Sequence, residues 1–499
     1  MPCLLGIDLG TQSVKSVVLD DQGRIRSVAQ AEYPILTPRV GHAEQEPQTW
    51  WRATCRTTQE ALARAALRPG ELAAVGLAGQ MHGTVCVDRE GLPVRPAIIW
   101  ADGRSAAEVD ELVATLGRER LARLTANPLA AGFMAATVRW LARHEPETLE
   151  RTAALLLPKD YVRLRLTRQV GTDVTDAAST LLFDVAGRRW SEEMARAVGI
   201  SPELLPRVTE SHEVCGTVTR QAASDTGIPA RTPVVAGGGD QPVGAVGNGV
   251  VKPGTVLSTI GTGGQLFTSL ETPSYDPELR THTFCHAVPG HWFIMGAMLS
   301  AGLCLRWLRD QVFGGLGLDY EAFSREAAEA PPGAEGLVFL PYLLGERTPH
   351  MDARARGVFF GLALRHERRH IVRAVMEGVA FAMRDSLEIF RSLGVAAREV
   401  MAAGGGAKSA TWQQIQADVF GTPLAPVLTA EPAACGAALL AGVGAGVFPS
   451  LEQAMARVVR LGKTVEPIPK NVAVYNERYA FFKSLYPRFA QSYRELPAS

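Results

Sequence analysis

Two aspartates stand where a carboxylate can do more than solvate a surface. Asp240 ends the run Gly237-Gly238-Gly239, after the apolar segment 233–236 and before Gln241-Pro242-Val243-Gly244. Glycine lets a ligand approach the backbone closely, and Pro242 pre-sets helical φ near a helix start. Two readings stand side by side: Asp240 caps that helix by accepting backbone N–H bonds, or it takes a proton from a hydroxyl during a transfer. Asp8 lies in Leu5-Gly6-Ile7-Asp8-Leu9-Gly10-Thr11-Gln12-Ser13, a strand, a Gly-Thr turn and the start of a second strand. Such turns suit oxyanions: glycine lets backbone N–H groups face the anion, the Thr hydroxyl adds a donor, and Lys15 can supply charge. A lone aspartate beside such a turn suits magnesium, which takes few carboxylates together with waters and phosphate oxygens.

The same pattern returns near mid-chain as Val256-Leu257-Ser258-Thr259-Ile260-Gly261-Thr262-Gly263-Gly264, followed by 265–269. A strand–turn–strand unit repeated half a chain apart predicts two similar domains facing each other across a cleft, with the boundary in 244–253 and the domains at 1–246 and 247–499. Other segments bring polar groups to strand ends, where open α/β sheets bind ligands. Gln80, Met81 and His82 follow one strand; Trp100, Asp102 and Arg104 follow another. A polyol or sugar needs this mix of amide, imidazole, carboxylate and aromatic wall. The blander alternatives are a structural histidine at 82 and an Asp102–Arg104 surface ion pair. Gly404-Gly405-Gly406-Ala407-Lys408-Ser409 precedes a helix at 412–420 and can lie against an adenine ring or ribose, bind an anion at the helix start, or be a plain tight turn.

The elements that must position these groups alternate. Strand-like runs at 4–7, 14–19, 73–78, 97–100 and 153–157 interleave with helical patterns at 49–67, 105–116 and 370–393, which predicts an α/β architecture. The 499 residues carry 51 acidic and 51 basic side chains, so no net field favours nucleic acid or an anionic membrane. Seven scattered cysteines, none in a CxxC pair, predict reduced thiols and a cytoplasmic protein. No export signal is expected at the start. The uncharged stretch 432–451 is rich in Ala and Gly and reads as a buried, closely packed helix, not a membrane span. No GxGxxG fingerprint occurs, and Gly462-Lys463-Thr464 lacks the earlier glycine of a P-loop. His366-Glu367-Arg368-Arg369-His370 fits HExxH in form, but Arg365, Arg368, Arg369 and Arg373 crowd it, and a solvated basic helix start is the better reading.

In order along the chain, Gly6-Ile7-Asp8-Leu9-Gly10-Thr11, Gly79-Gln80-Met81-His82-Gly83, Trp100-Ala101-Asp102-Gly103-Arg104, Leu157-Pro158-Lys159-Asp160-Tyr161, Gly237-Gly238-Gly239-Asp240, Phe339-Leu340-Pro341-Tyr342, Gly345-Glu346-Arg347-Thr348-Pro349-His350, Gly357-Val358-Phe359-Phe360-Gly361-Leu362 and Gly404-Gly405-Gly406-Ala407 resemble the FGGY carbohydrate kinases, most closely their bacterial xylulokinase branch. The resemblance implies two duplicated actin-like, ribonuclease H-like α/β domains around a central cleft. It also implies ATP-dependent phosphorylation of a ketopentose, D-xylulose foremost, with ATP and Mg2+ and with a homodimer among the expected assemblies. By the same resemblance Asp240 is the general base, Asp8 and Asp240 hold the metal, and Gln80, Met81, His82, Trp100, Asp102, Arg104 and Gln241 join Asp240 around the sugar. The expected nucleotide contacts are Gly10, Thr11, Gln12, Lys15, Thr259, Gly261, Thr262, Gly405, Gly406 and Ser409. One departure is Gln241-Pro242-Val243, where the xylulokinase pattern often has Asn-Ala-Ala. The amide is kept on a longer arm, which leaves the choice of sugar, ketose or polyol, open.

Overall fold

The computed structural model describes residues 1–68 and 70–496. The chain begins with β1 (Cys3–Leu9), β2 (Ser13–Asp20), β3 (Ile25–Glu32), α1 (Pro47–Ala65) and β4 (Leu72–Gly79). Later come α2 (Pro158–Thr167), α3 (Val174–Ser179), β5 (Val214–Thr217), β6 (Pro233–Val235), β7 (Gly238–Gly239) and α4 (Asp240–Gly247). The strands form one sheet in the order β5-β6-β4-β1-β2-β3, with β7 joining β4 beyond β6. The second half supplies β8 (Thr255–Ile260), β9 (Gly264–Leu270), β10 (His282–Cys285), β11 (Trp292–Met298), α5 (Arg368–Ser392), β12 (Glu399–Gly404), α6 (Ala410–Phe420), β13 (Leu424–Pro426) and α7 (Pro432–Gly444). Its sheet runs β10-β11-β9-β8-β12-β13.

The repeat read from the sequence is a repeat of topology. β1 pairs antiparallel with β2 and parallel with β4, and β8 pairs in the same way with β9 and β12. Asp8 and Thr259 hold equivalent places, two residues before their Gly-Thr turns. Asp8 lies opposite Lys15 and beside Ala78, and Thr259 lies opposite Gln265 and beside Ala403.

Side-chain alternation decides which face of β1 carries Asp8. Cys3, Leu5, Ile7 and Leu9 point into one apolar cluster with Trp50 and Trp51 of α1. Leu4 belongs to another, with Ala74 and Ala78 of β4 and Ala434, Ala437 and Ala438 of α7. Gly6 and Asp8 share the face of Leu4. A Cβ on Gly6 would stand 1.8 Å from the Ala434 carbonyl oxygen, and one on Gly76 2.0 Å from that of Ala437. Helix α7 therefore lies directly on the first sheet, through glycines, up to the point where Asp8 emerges. Residues 432–444 are the buried, close-packed helix expected there, but they come from the second half of the chain. A cut at 246/247 thus does not separate two cores: the largest apolar cluster also joins Phe133 and Leu182 to Phe284 and Phe293.

Several expected boundaries move by a residue or two. The helices expected at 49–67 and 370–393 begin earlier, at Pro47 and Arg368, and the strand at 97–100 stops at Ile98. At the start of α5, Glu367 and His370 form a reciprocal cap, with His370 Nδ1 accepting the Glu367 N–H at 3.0 Å. His366 Nδ1 accepts the Ala363 N–H at 2.9 Å. Both histidines of the HExxH match thus serve a loop and a helix start. No helix among the described residues is long and apolar enough to cross a membrane.

Candidate active site

Asp240 is placed by a break in a strand. Gly237 takes φ +72°, and a Cβ there would lie 2.1 Å from the Leu77 carbonyl oxygen. Past this kink Gly238 and Gly239 pair with Ala78 and Gly79 of β4. Since Asp8 also pairs with Ala78, the two strand ends that carry Asp8 and Asp240 flank the same residue. Gly239, not Asp240, is the N-cap of α4, and no side-chain cap bond is made there. Asp240 is the first helical residue instead, and the backbone N–H groups of Asp240 and Gln241 pull on its carboxyl, so part of the capping role weighed for it is kept. Burial first, then the charge of Asp8, pushes the Asp240 carboxyl up to about 7. Burial likewise raises Asp8 to about 6, against the opposing pull of Lys15, and Asp8 Oδ1 is buried without a hydrogen-bond partner. Two electron-rich carboxylates side by side, one with an orphaned oxygen, are short of positive charge. Magnesium bound by one or two carboxylates together with phosphate oxygens meets that need, so the residues fit the ion.

Met81 and His82 follow β4. Met81 is buried against the turn that carries Asp240: a Cβ on Gly239 would meet its Cγ at 2.7 Å. His82 sits at φ +72°, a region that non-glycine residues rarely adopt and that clusters at functional sites. Its ring stacks on Phe133 at 3.7 Å between centroids. Its Nδ1 lies 2.8 Å from the Ser179 carbonyl oxygen, an acceptor only, so Nδ1 carries the proton and Nε2 is left with a lone pair. Burial pulls the imidazole pKa down to about 3, which keeps it neutral. A neutral ring with one free acceptor suits a sugar hydroxyl. His282 stands near, stacked with Phe284 at 5.8 Å. Arg347 is close enough to depress both imidazoles. It is half-buried and, among the described residues, makes no ion pair.

Other expected sugar contacts are committed elsewhere. Asp102 accepts from the Ala43 N–H at 2.6 Å and from the Arg104 N–H and Nε at 2.9 Å each. Arg104 also donates to Glu44 at 2.7 Å and lies over Trp140. The pair is a buried cluster with Glu44, not the surface ion pair considered for it. Gln80 is buried and donates to Gln45 at 2.8 Å, while Gln45 donates to the Thr11 carbonyl at 2.7 Å. Through these bonds Gln80 helps to hold the first Gly-Thr turn, while its Oε1 is buried without a hydrogen-bond partner. Trp100 donates from Nε1 to Thr11 Oγ1 at 2.9 Å, which joins the aromatic wall to that turn. Gln241 is half-buried beside Asp240.

The nucleotide set divides similarly. Gly261, Thr262, Gly405, Gly406 and Ser409 line one cavity of about 740 Å³. The carbonyls of Gly261 and Thr262 accept N–H groups of Gly302, Ala301 and Leu303 at 2.9–3.1 Å, which fixes the second turn. Ser409 caps α6 through the Trp412 N–H at 3.1 Å and bonds Ser324 Oγ at 2.6 Å. Thr259 sits one strand residue below this cavity. Lys15 pairs with Glu431, at the start of α7, at 2.6 Å, so its charge is already shared before any phosphate arrives. The exposed Gln12 lines a separate, shallower pocket with Gln30 and Tyr33. Sequence reasoning missed Arg306, Tyr320 and Lys408, which line the 740 Å³ cavity. It also missed Phe133, His282 and the role of Arg347, although Arg347 lies in a quoted motif.

The chain is similar to known proteins along nearly its whole length. The N-terminal domain model of the FGGY family of carbohydrate kinases matches residues 3–247, and its C-terminal domain model matches 256–445. A xylulose kinase of Escherichia coli (strain K12) is 38% identical over 97% of this chain and 98% of its own. One of Bacillus subtilis (strain 168) is 35% identical over 97% of both chains. The crystal structure of a xylulose kinase from Rhodospirillum rubrum superposes with a TM-score of 0.92 at 31% identity, covering 99% of this chain and 100% of that one.

Proposed function

Because the chain belongs to the FGGY family of carbohydrate kinases, we propose that it transfers the γ-phosphoryl group of ATP to the terminal O5 hydroxyl of D-xylulose. The observation that carries this reading is Asp240: a carboxylate raised by burial and by Asp8 to about 7, against the pull of the backbone N–H groups at its helix start, on a turn packed against Met81. A base with a pKa near the operating pH combines a useful ionised fraction with real proton affinity. Asp240 takes the hydroxyl proton as the O5–phosphorus bond forms and the bond to the bridging oxygen of ADP breaks.

The remaining work is alignment and charge compensation. Met81 and Phe133 shape an apolar floor, and His82 Nε2 accepts from a sugar hydroxyl. Adenosine lies in the 740 Å³ cavity near Gly405 and Gly406, and the Gly-Thr turns at 10–11 and 261–262 face the phosphates. Asp8 and Asp240 are the residues that would hold magnesium, which when bound offsets the charge on the phosphate oxygens. Seven unpaired thiols support a cytoplasmic setting.

A second acceptor, gluconate, is favoured by one observation: the Arg347 guanidinium makes no ion pair among the described residues and is close enough to His82 and His282 for its charge to lower both imidazoles. ADP release measured with D-xylulose, L-ribulose, glycerol and gluconate side by side decides between them. The highest kcat/KM with D-xylulose is expected. A preference for gluconate moves the assignment to an acid sugar, and no sugar-dependent ADP release removes it in favour of an actin-like nucleotide switch.

A further inference from the structure

We infer that Thr175 is a positioning residue for phosphoryl transfer: its hydroxyl, anchored through Asp173 to the buried Lys159, holds the glycine turn that aims Asp240. The inference rests on the reading of Asp240 as the base.

Thr175 lies in the first turn of α3, a helix that touches none of the reacting groups. Its Oγ1 donates to Asp173 Oδ2 at 2.6 Å and accepts the Gly239 N–H at 2.8 Å. The roles are unambiguous, because Asp173 Oδ2 is already the acceptor for the Thr175 N–H at 2.7 Å and for Ser211 Oγ at 3.2 Å. The hydroxyl proton is thus spent on Asp173, and the remaining lone pair faces Gly239. Asp173 is fixed in turn by Lys159 Nζ at 2.9 Å from Oδ1, and Lys159 also reaches Asp160 at 2.6 Å and Asp176 at 3.2 Å. All four of these charged side chains are fully buried.

Two glycines record how close this approach is. A Cβ on Gly238 would meet Thr175 Oγ1 at 2.8 Å, and a Cβ on Gly79 would meet the Lys159 Cβ at 2.8 Å. The far end of the same helix holds the other side of the sugar site, since the Ser179 carbonyl accepts from His82. A six-residue helix clamped by buried charge thus sets the spacing between the base and the sugar-facing imidazole. Burying this many charges is costly and adds little net stability. Geometric precision at the transferring group is the return: displacements near 1 Å can cost about 10²-fold in rate.

The test is a kinetic cycle on the full-length enzyme with D-xylulose and MgATP. Thr175→Val keeps the volume and removes the acceptor. It is expected to lower kcat roughly 10- to 100-fold while KM for ATP stays within about twofold, and Thr175→Ser should recover most of the loss. In an Asp240→Asn background the valine substitution should cost less than about threefold, because the turn then has no base to aim. A merely structural role would lower the active fraction equally in both backgrounds, and that additivity overturns the inference, as does a Thr175→Val enzyme of parental kcat. Asp240→Asn turning over at the parental rate overturns the base reading instead, whatever the valine variant does. Should Thr175→Val not fold, Thr175→Cys, whose sulfur is a weak acceptor, stands in with the same expectations.

Discussion

Ala78 pairs with Asp8 on one side and with Gly238, two residues before Asp240, on the other, which raises the question of how the two carboxylates tolerate one another. Burial is the larger influence on both, and the charge of Asp8 adds to the rise at Asp240. The pair is electrostatically unsatisfied without a cation, a condition suited to binding one and costly to the folded chain.

That cost is measurable. Asp240 titrates near 7 in the folded protein and near the ordinary 3.8 when unfolded. As pH rises, the unfolded chain loses this proton first, so folding is penalised progressively from about pH 4 to 7 and fully above 7. The full difference corresponds to about 4 kcal/mol, which partial solvent access reduces to roughly 1–2 kcal/mol. Asp240→Asn is therefore expected to raise Tm at pH 8 by roughly 1–2 °C in a chain of 499 residues, with the gain shrinking toward zero at pH 4–5. Differential scanning calorimetry across this range checks it; a gain independent of pH contradicts the ionised-pair account.

Glycines at the site and in the core should answer alanine differently. A Cβ on Gly6 meets a backbone oxygen of α7 at 1.8 Å, whereas one on Gly239 meets a flexible Met81 side chain at 2.7 Å. Gly6→Ala is expected to abolish soluble folded protein. Gly239→Ala should fold and raise KM for the sugar by about tenfold, in line with overpacking costs of roughly 1–3 kcal/mol, and Met81→Ala in the same chain should recover part of it. Equal Tm values for the two glycine variants would count against α7 lying on β1.

Asp8→Asn should show its effect in the metal requirement. Even outer-shell changes cost metal sites roughly 10–100-fold in affinity, so half-maximal activity should need at least that much more Mg2+, with kcat partly recovered at high concentration. Chelation with EDTA should abolish turnover in both proteins. An unchanged Mg2+ titration assigns Asp8 a purely structural place.

Much of this frame was legible because it is local. Strand, Gly-Thr turn and strand are contiguous in sequence at Cys3–Leu9 with Ser13–Asp20 and again at Thr255–Ile260 with Gly264–Leu270, and the three glycines before Asp240 announce a tight turn in any context. What stayed hidden depends on partners distant in sequence. Asp102 and Arg104 looked available until Ala43 and Glu44 were found to occupy them. Lys15 looked free because Glu431 is 416 positions away. The helix 432–444 announced its close packing by composition, but nothing local told that it lies on the first sheet. Lys159 sat in a quoted motif without a role, since its function is to hold Asp173, and through it Thr175.

The most direct measurement of the central claim is the pre-steady-state rate of phosphoryl transfer in Asp240→Ala with D-xylulose and MgATP saturating. General-base assistance contributes about 10²–10⁴-fold, so transfer should slow by at least that range while the circular dichroism spectrum and ATP affinity stay close to the parent. Transfer within a few-fold of the parent rate would contradict the assignment of Asp240 as the group that takes the proton.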